Sequence, residues 1–291
     1  TTGVIVKEAF ESNAWLQTVP EALLRRISGV RLYAPNLNFV DLTAPKYYFL
    51  ATDTPALLDW MAQDLQSMGV QFHYEQVFEN AQLHRLGTSA IWHIVSSATN
   101  SPLRDVSTLT ARYLVGADGP QSKVAKALNL SRNQEFLFGQ EYEYHALDLP
   151  VDSLHCFIHH ELAPGYLGWA LKGVGTYQVG LAQRYHAQRK MRVQPFLQHI
   201  QSQIQIPEQP PHSIRAGMIP CGGVLQNIAC ERAILVGDAA GMVSPVTAGG
   251  IHTALRHGGQ IGKQVAQFLQ NHSSKAVDPA ELVARSYPNF T

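Results

Sequence analysis

The sequence predicts a mixed α/β fold, and three observations carry that expectation. Twice, at residues 111–128 and 232–269, an apolar strand runs into a small-residue turn holding Gly and Asp and then into a helix. Between these units the chain is β-rich, with short alternating runs separated by Gly, Pro and Asn. At 291 residues there is chain enough for one large or two medium domains with an ample core.

Taken in order, residues 8–29 carry helical punctuation, with Pro20 opening a helix over Glu21–Ile27 and Gly29 closing it. Val30–Tyr33 and Phe39–Leu42 alternate as strands around the Pro35-Asn36 turn. Leu57, Leu58, Met61, Ala62, Leu65 and Met68 recur at helical spacing up to Gly69, and Val70–Tyr74 follows as a strand. Gln82–Leu86, Ile91–Val95 and Thr108–Val115 read as an antiparallel meander, turning at Gly87 and at Asn100-Ser101-Pro102. A short helix is expected over Ser122–Leu128, β-structure over 140–186, and a helix over 193–203 before the proline-rich connection Pro207, Pro210 and Pro211. Arg232–Val236 then forms a strand, and Gly250–Leu269 a helix with an apolar stripe that includes Ile251, Ala254, Leu255, Ile261, Val265 and Phe268.

Composition narrows the function classes. Lys plus Arg and Asp plus Glu are 22 each, and no basic run stands out, which argues against a phosphate-neutralising nucleic-acid binder. Three cysteines, Cys156, Cys221 and Cys230, form no CxxC pair, which fits a reducing, cytoplasmic compartment. No apolar run approaches the ~18 residues of a membrane-spanning helix, and the first residues show no secretory pattern. Zero net charge and sparse charges are compatible with a peripheral membrane encounter.

The two strand–turn–helix units hold the candidate chemistry. Asp238, at a strand's carboxyl end, is placed to accept hydrogen bonds from ribityl or ribose hydroxyls. Gly249 and Gly250 let backbone N–H groups approach a ligand, and the helix from Ile251 turns its positive dipole end toward it. Gly116-Ala117-Asp118-Gly119 repeats the logic after an earlier strand. Each motif alone is also compatible with plain turn chemistry, Asp capping and Gly fitting the backbone.

Together the two motifs resemble the geranylgeranyl reductase family of FAD-dependent oxidoreductases, which has the para-hydroxybenzoate-hydroxylase-type fold. Leu114–Gly119 with Ser122 is similar to that family's Asp-Gly motif, and Arg232–Gly241, continuing through Ser244-Pro245 and Gly249-Gly250-Ile251, to its Gly-Asp motif. Pro164-Gly165-Tyr166-Leu167-Gly168-Trp169, followed by Val179-Gly180-Leu181, resembles the family's Tyr/Trp substrate loop, and Ile219-Pro220 also fits. The resemblance implies a Rossmann-like FAD-binding domain over 1–29, 50–130 and 214–291, with a β-rich substrate domain over 30–49 and 131–213. It implies a flavin site of Gly116, Asp118, Gly119, Ser122, Gly237, Asp238, Ala239, Pro245, Gly249, Gly250 and Ile251. Asp238 would serve the ribityl or phosphate-proximal region, Asp118 and Gly119 the pyrophosphate side, and Gly249–Ile251 the isoalloxazine. Tyr166 and Trp169 would line the cavity for a hydrophobic small-molecule substrate. The reaction implied is reduction of a carbon–carbon double bond, with NAD(P)H or another reductant as electron donor. Hydroxylation of an aromatic substrate is the alternative, and no residue separates the two. The catalytic acid and the oligomeric state stay open.

Three departures from the family pattern are expected to matter. The family opens with a Gly-x-Gly-x-x-Gly βαβ unit gripping the ADP half of FAD; Thr1–Ile5 looks like the point just after it, so the domain reads as N-terminally truncated, and a non-catalytic fragment is a further alternative. Asp53-Thr54-Pro55 stands where the family has an Arg, and Trp169-Ala170-Leu171-Lys172 where it commonly has Phe-Pro. Other motifs lead elsewhere. Gly173-Val174-Gly175 breaks before a third glycine and enters a strand, Gly262-Lys263 lacks the rest of a P-loop, and no Gly-x-Ser-x-Gly elbow occurs. Strand alternation sets His155 and His159 opposite Cys156 and His160, so no metal site is expected there.

Overall fold

The computed structural model describes residues 3–87, 89–99, 105–244, 248–270 and 277–281. The chain divides into two compact units, residues 1–70 with 136–219, and 71–135 with 220–291. The β-rich segments expected to make a substrate domain thus fold together with the chain's first seventy residues.

In the first unit Tyr177–Arg184 is an interior strand of the large sheet. Tyr177–Arg184 is buried along most of its length, which suits a strand covered on both faces. It pairs antiparallel with Phe136–Tyr144 on one side and Gly168–Lys172 on the other. Seven strands result, in the order Ser213–Pro220, Phe136–Tyr144, Tyr177–Arg184, Gly168–Lys172, Leu154–Phe157, Gly29–Tyr33, Phe39–Thr43. The helix Val193–Ile200 closes one face with the fully buried Phe196 and Ile200. Gly168 is required there, because a Cβ would stand 2.3 Å from the Phe196 ring.

His155 is buried within this unit and has a structural place. Its Nε2 lies 2.9 Å from the Val151 carbonyl, which can only accept, so the Tyr33 hydroxyl donates to Nδ1 at 3.0 Å. Burial lowers its pKa. His159 and His160 lie beyond the strand Leu154–Phe157, and among the described residues no three His, Cys, Asp or Glu side chains converge on a metal position.

A second, three-stranded sheet orders Val4–Val6, Phe49–Thr52 and Leu24–Ile27. The helix expected over Glu21–Ile27 is therefore one turn of 3-10 helix, Glu21–Leu23, followed by a strand. Pairing with Phe49–Thr52 buries Ile27 and lets Arg25 form an ion pair with Asp152, contacts a helix at this point would forgo. Thr54–Ser67 is helical as expected, with the Asp53 carboxylate accepting from the Ala56 N–H at 3.2 Å and a proline in the first turn. Val70–Tyr74 is not a strand: it pairs with no described strand, and Val70 and Tyr74 stay exposed, so alternation without a partner edge leaves it a connection.

The second unit contains the expected meander, Gln76–Leu86, Ser89–Ala98 and Val106–Ala111, all antiparallel. The strand read as Thr108–Val115 breaks at Arg112-Tyr113, and its continuation, Leu114–Gly116, joins a different sheet with Ala229–Cys230 and Ala233–Leu235. Tyr113 is held at the break by its hydroxyl, which donates to Asp278 Oδ1 at 3.0 Å. The turn expected at Asn100-Ser101-Pro102 lies outside the described residues. Lys123–Ala127 and Ile251–Gln270 supply the helices, and Leu235, Val124, Ala240 and Ile261 meet in the unit's core.

Candidate functional site

Leu114–Gly116 and Ala233–Leu235 lie side by side and parallel, with Gly116 opposite Leu235. Ligands bind beyond the carboxyl ends of such strands. The Asp-Gly and the Gly-Asp motif both emerge there, and the Val236 N–H donates to the Gly116 carbonyl at 2.9 Å, carrying the pairing to the edge of the loops. Gly116 permits this closeness, since a Cβ would stand 2.7 Å from Leu235 Cδ2.

The first loop uses its carboxylate internally. Asp118 Oδ1 accepts from the Ser122 hydroxyl at 2.6 Å, and Oδ2 from the Val124 N–H at 3.0 Å. Ser122 in turn caps Lys123–Ala127, its Oγ accepting from the Ala125 N–H at 2.9 Å. Gly119 turns the chain with a left-handed φ of 81° and has open space where a Cβ would point.

The second loop leaves its carboxylate open. Asp238 lies in the single turn Gly237–Ala240, closed by Gly241 at φ 71°. A Cβ on Gly250 would come 3.0 Å from Asp238 Oδ1, so glycine lets the start of the long helix approach the acid without pushing its side chain aside. The carboxylate makes no hydrogen bond with any described residue; only the Asp238 carbonyl is engaged. Burial raises its pKa. Ala239 is buried behind it, Gly249 is exposed, and Ile251 is the helix's first residue. Thr253 Oγ1 donates to the Gly250 carbonyl at 2.9 Å and also to that of Met242, tying helix to loop. Farther along, burial pushes the His257 imidazole down to about 4. Pro245 lies outside the described residues.

Sequence reading missed Asn133. Its amide donates to the Pro120 carbonyl at 3.0 Å and to the Asp238 carbonyl at 2.8 Å, so one side chain holds the backbones of both loops. Nothing local marks it, because its partners belong to two distant turns.

Tyr166 and Trp169 belong to the first unit. Trp169 lies across Gly180, whose added Cβ would meet its ring at 2.6 Å, and its Nε1 donates to Glu141 Oε2 at 2.8 Å. Glu141 is 3% exposed, and its other oxygen accepts from Arg215 at 3.0 Å. Burial raises the Glu141 pKa, while the Trp169 hydrogen bond and the Arg215 charge oppose that rise. Tyr166 is half-buried, and burial pushes its phenol up to about 12.

The residues of the second unit fit a polyol- and phosphate-bearing cofactor. Asp238 is a half-buried acceptor with no described donor, and Gly119 leaves its loop surface open. A family model described as an FAD binding domain matches residues 36–280. The chain belongs to this FAD-binding family. Relatives whose names are those of reductases match it as well. It is 32% identical over 172 residues to digeranylgeranylglycerophospholipid reductase 3 of Methanosphaera stadtmanae, covering 58% of this chain and 43% of that protein. Against digeranylgeranylglycerophospholipid reductase 1 of Methanothermobacter thermautotrophicus it is 26% identical over 91% of this chain and 65% of that one. The chain thus spans less than two thirds of the length of these relatives. The crystal structure of a geranylgeranyl bacteriochlorophyll reductase-like protein from Thermoplasma acidophilum superposes with a TM-score of 0.77 at 16% identity, covering 99% of this chain and 73% of that one. That likeness is one of fold. Among the described residues no helix is long and apolar enough to cross a membrane.

Proposed function

We propose that the protein reduces carbon–carbon double bonds of a hydrophobic, isoprenoid-like substrate, drawing electrons from NAD(P)H or another reductant. The observation that carries the flavin half of this reading is the open Asp238 carboxylate at the ends of two parallel strands, against the Gly250 helix start. The reductase half is supported by the names of the relatives, digeranylgeranylglycerophospholipid reductases. FAD, when bound, supplies a two-electron centre able to pass a hydride. Asp238 would accept hydrogen bonds from its hydroxyls, and the backbone at Gly249–Ile251 would lie against its ring system. Asp118, Ser122 and Asn133 hold the loop backbones in place for that contact. Tyr166 and Trp169 would face the substrate and keep water from it, and a peripheral membrane encounter would deliver so apolar a molecule.

The test begins with the absorbance spectrum of the purified chain, taken with and without added FAD. The flavin-loaded protein is then reduced without oxygen and offered a prenyl alcohol. A saturated product formed anaerobically supports the reading. Product that appears only with oxygen, alongside peroxide release, makes the protein a hydroxylase. Absence of a flavin band with FAD in excess overturns the cofactor assignment for this chain.

A further inference from the structure

Between Glu161 and Glu208 the chain carries no acidic residue, while Lys172, Arg184, Arg189, Lys190 and Arg192 are all basic. Part of this one-sided charge is gathered in the first unit around a groove of about 370 Å³ lined by His160, Glu161, Pro164, Gln183, Arg189 and Arg192. Arg189 and Arg192 are exposed, and neither forms an ion pair with a described residue. Glu161 is the single acid among the lining residues, 3.8 Å from His160.

Two further observations point to a ligand. Gln183 is 3% exposed, lines the groove, and makes no side-chain hydrogen bond with any described residue. Its amide reaches the groove surface, where a ligand entering the groove can complete its hydrogen bonds. The helix Val193–Ile200 begins directly after Arg192, with no side chain capping it and no acid in its first turn. Its free N–H groups and positive dipole end therefore add to the guanidiniums beside it.

From this juxtaposition we infer that the groove is a binding site for a phosphate ester, held by Arg189 and Arg192 at the rim, with the Gln183 amide donating from the floor. Planar guanidiniums match phosphate oxygens in pairs, and an amide N–H completes the set without adding charge. Aromatic or uncharged ligands would leave both arginines unused. The site involves no residue of the flavin loops and stands whether or not the reductase reading holds.

The experiment uses the chain as it is, with two probes. One is sn-glycerol 1-phosphate, followed by calorimetry; the other is phosphatidylcholine vesicles with or without phosphatidylglycerol, followed by co-sedimentation. The wild type should bind at least one of them. Binding of the soluble ester identifies a free phosphate compound as the ligand, and binding of the anionic vesicles alone identifies a lipid headgroup. Each guanidinium removed should weaken binding about tenfold, so R189Q/R192Q should lose about a hundredfold. Lys263→Glu, a charge reversal on the exposed face of the long helix, should bind as the wild type does. Flavin content, read from the same samples, should be unchanged in R189Q/R192Q. Equal binding by R189Q/R192Q and wild type, equal loss in Lys263→Glu, or no binding of either probe by the wild type would each overturn the site.

Discussion

Asp118 and Asp238 occupy matching places, each in the turn that follows the carboxyl end of one of two adjacent parallel strands. Asp118 spends both oxygens on its own turn, on Ser122 and Val124. Asp238 spends neither on a described residue, although burial makes its charge harder to keep. An acid with its hydrogen bonds satisfied holds a loop in shape, whereas a half-buried acid left open can accept from a ligand. The same contrast runs through the glycines: the space beside Gly119 is empty, and that beside Gly241 is filled by the Gly223 carbonyl, 2.4 Å from where a Cβ would stand.

The largest effect that would break this comparison is expected at Gly241. Gly241→Ala adds a left-handed penalty to a backbone clash and should cost about 3–5 kcal/mol of stability, read as a lowered thermal midpoint. A variant as stable as wild type would mean the second loop is not closed as described. Next comes pH. The His257 pKa, pushed down to about 4 from 6.5, makes the folded state bind fewer protons than the unfolded one between those values. Stability should therefore fall by up to about 3 kcal/mol as pH drops from 6.5 toward 4, and His257→Leu should flatten the curve. Asp238 works in the opposite sense: its raised pKa makes stability fall as pH rises through the acid range, and Asp238→Asn should remove that slope. Parallel pH profiles for wild type and variants would sink both assignments.

Asp238→Ala should weaken flavin binding about 10–100-fold, the worth of one or two hydrogen bonds to a charged acceptor, without loss of fold. Unchanged flavin content after gel filtration would remove Asp238 from the site. Asp118→Ala should do the reverse, lowering stability by about 1–2 kcal/mol through the lost cap while flavin affinity shifts less. Should Asp118→Ala cost more flavin affinity than Asp238→Ala, the contrast between the loops is inverted. Smallest of all is Gly119→Ala, at about 1 kcal/mol for the positive φ alone; differential scanning calorimetry would resolve it from the Gly241 variant.

Much of this was legible in the chain order. Alternation picked out Val30–Tyr33, Phe39–Leu42 and the meander, and helical spacing picked out Leu57–Met68 and the long last helix, all present in the structure. Glu21–Ile27 misled because its cues are those of a helix start, and a strand partner twenty-odd residues later outweighed them. Val70–Tyr74 misled in the other direction: its residues suit a strand, but no described edge receives them. Asn133, and the Glu141–Arg215 pair beneath Trp169, gave no local sign.

By itself, the sequence determined the repeating turn chemistry: small residues and an acid after each of two strands, a glycine before the long helix, and the family these imply. Such features depend on neighbours within a few residues, where φ/ψ preference, side-chain period and capping act. Only the tertiary structure decided that the two turns lie side by side, that Asn133 joins them, and that one aspartate is occupied while its counterpart is open. Those outcomes depend on which distant groups meet and what burial leaves unpaired, and a one-dimensional pattern carries no term for either.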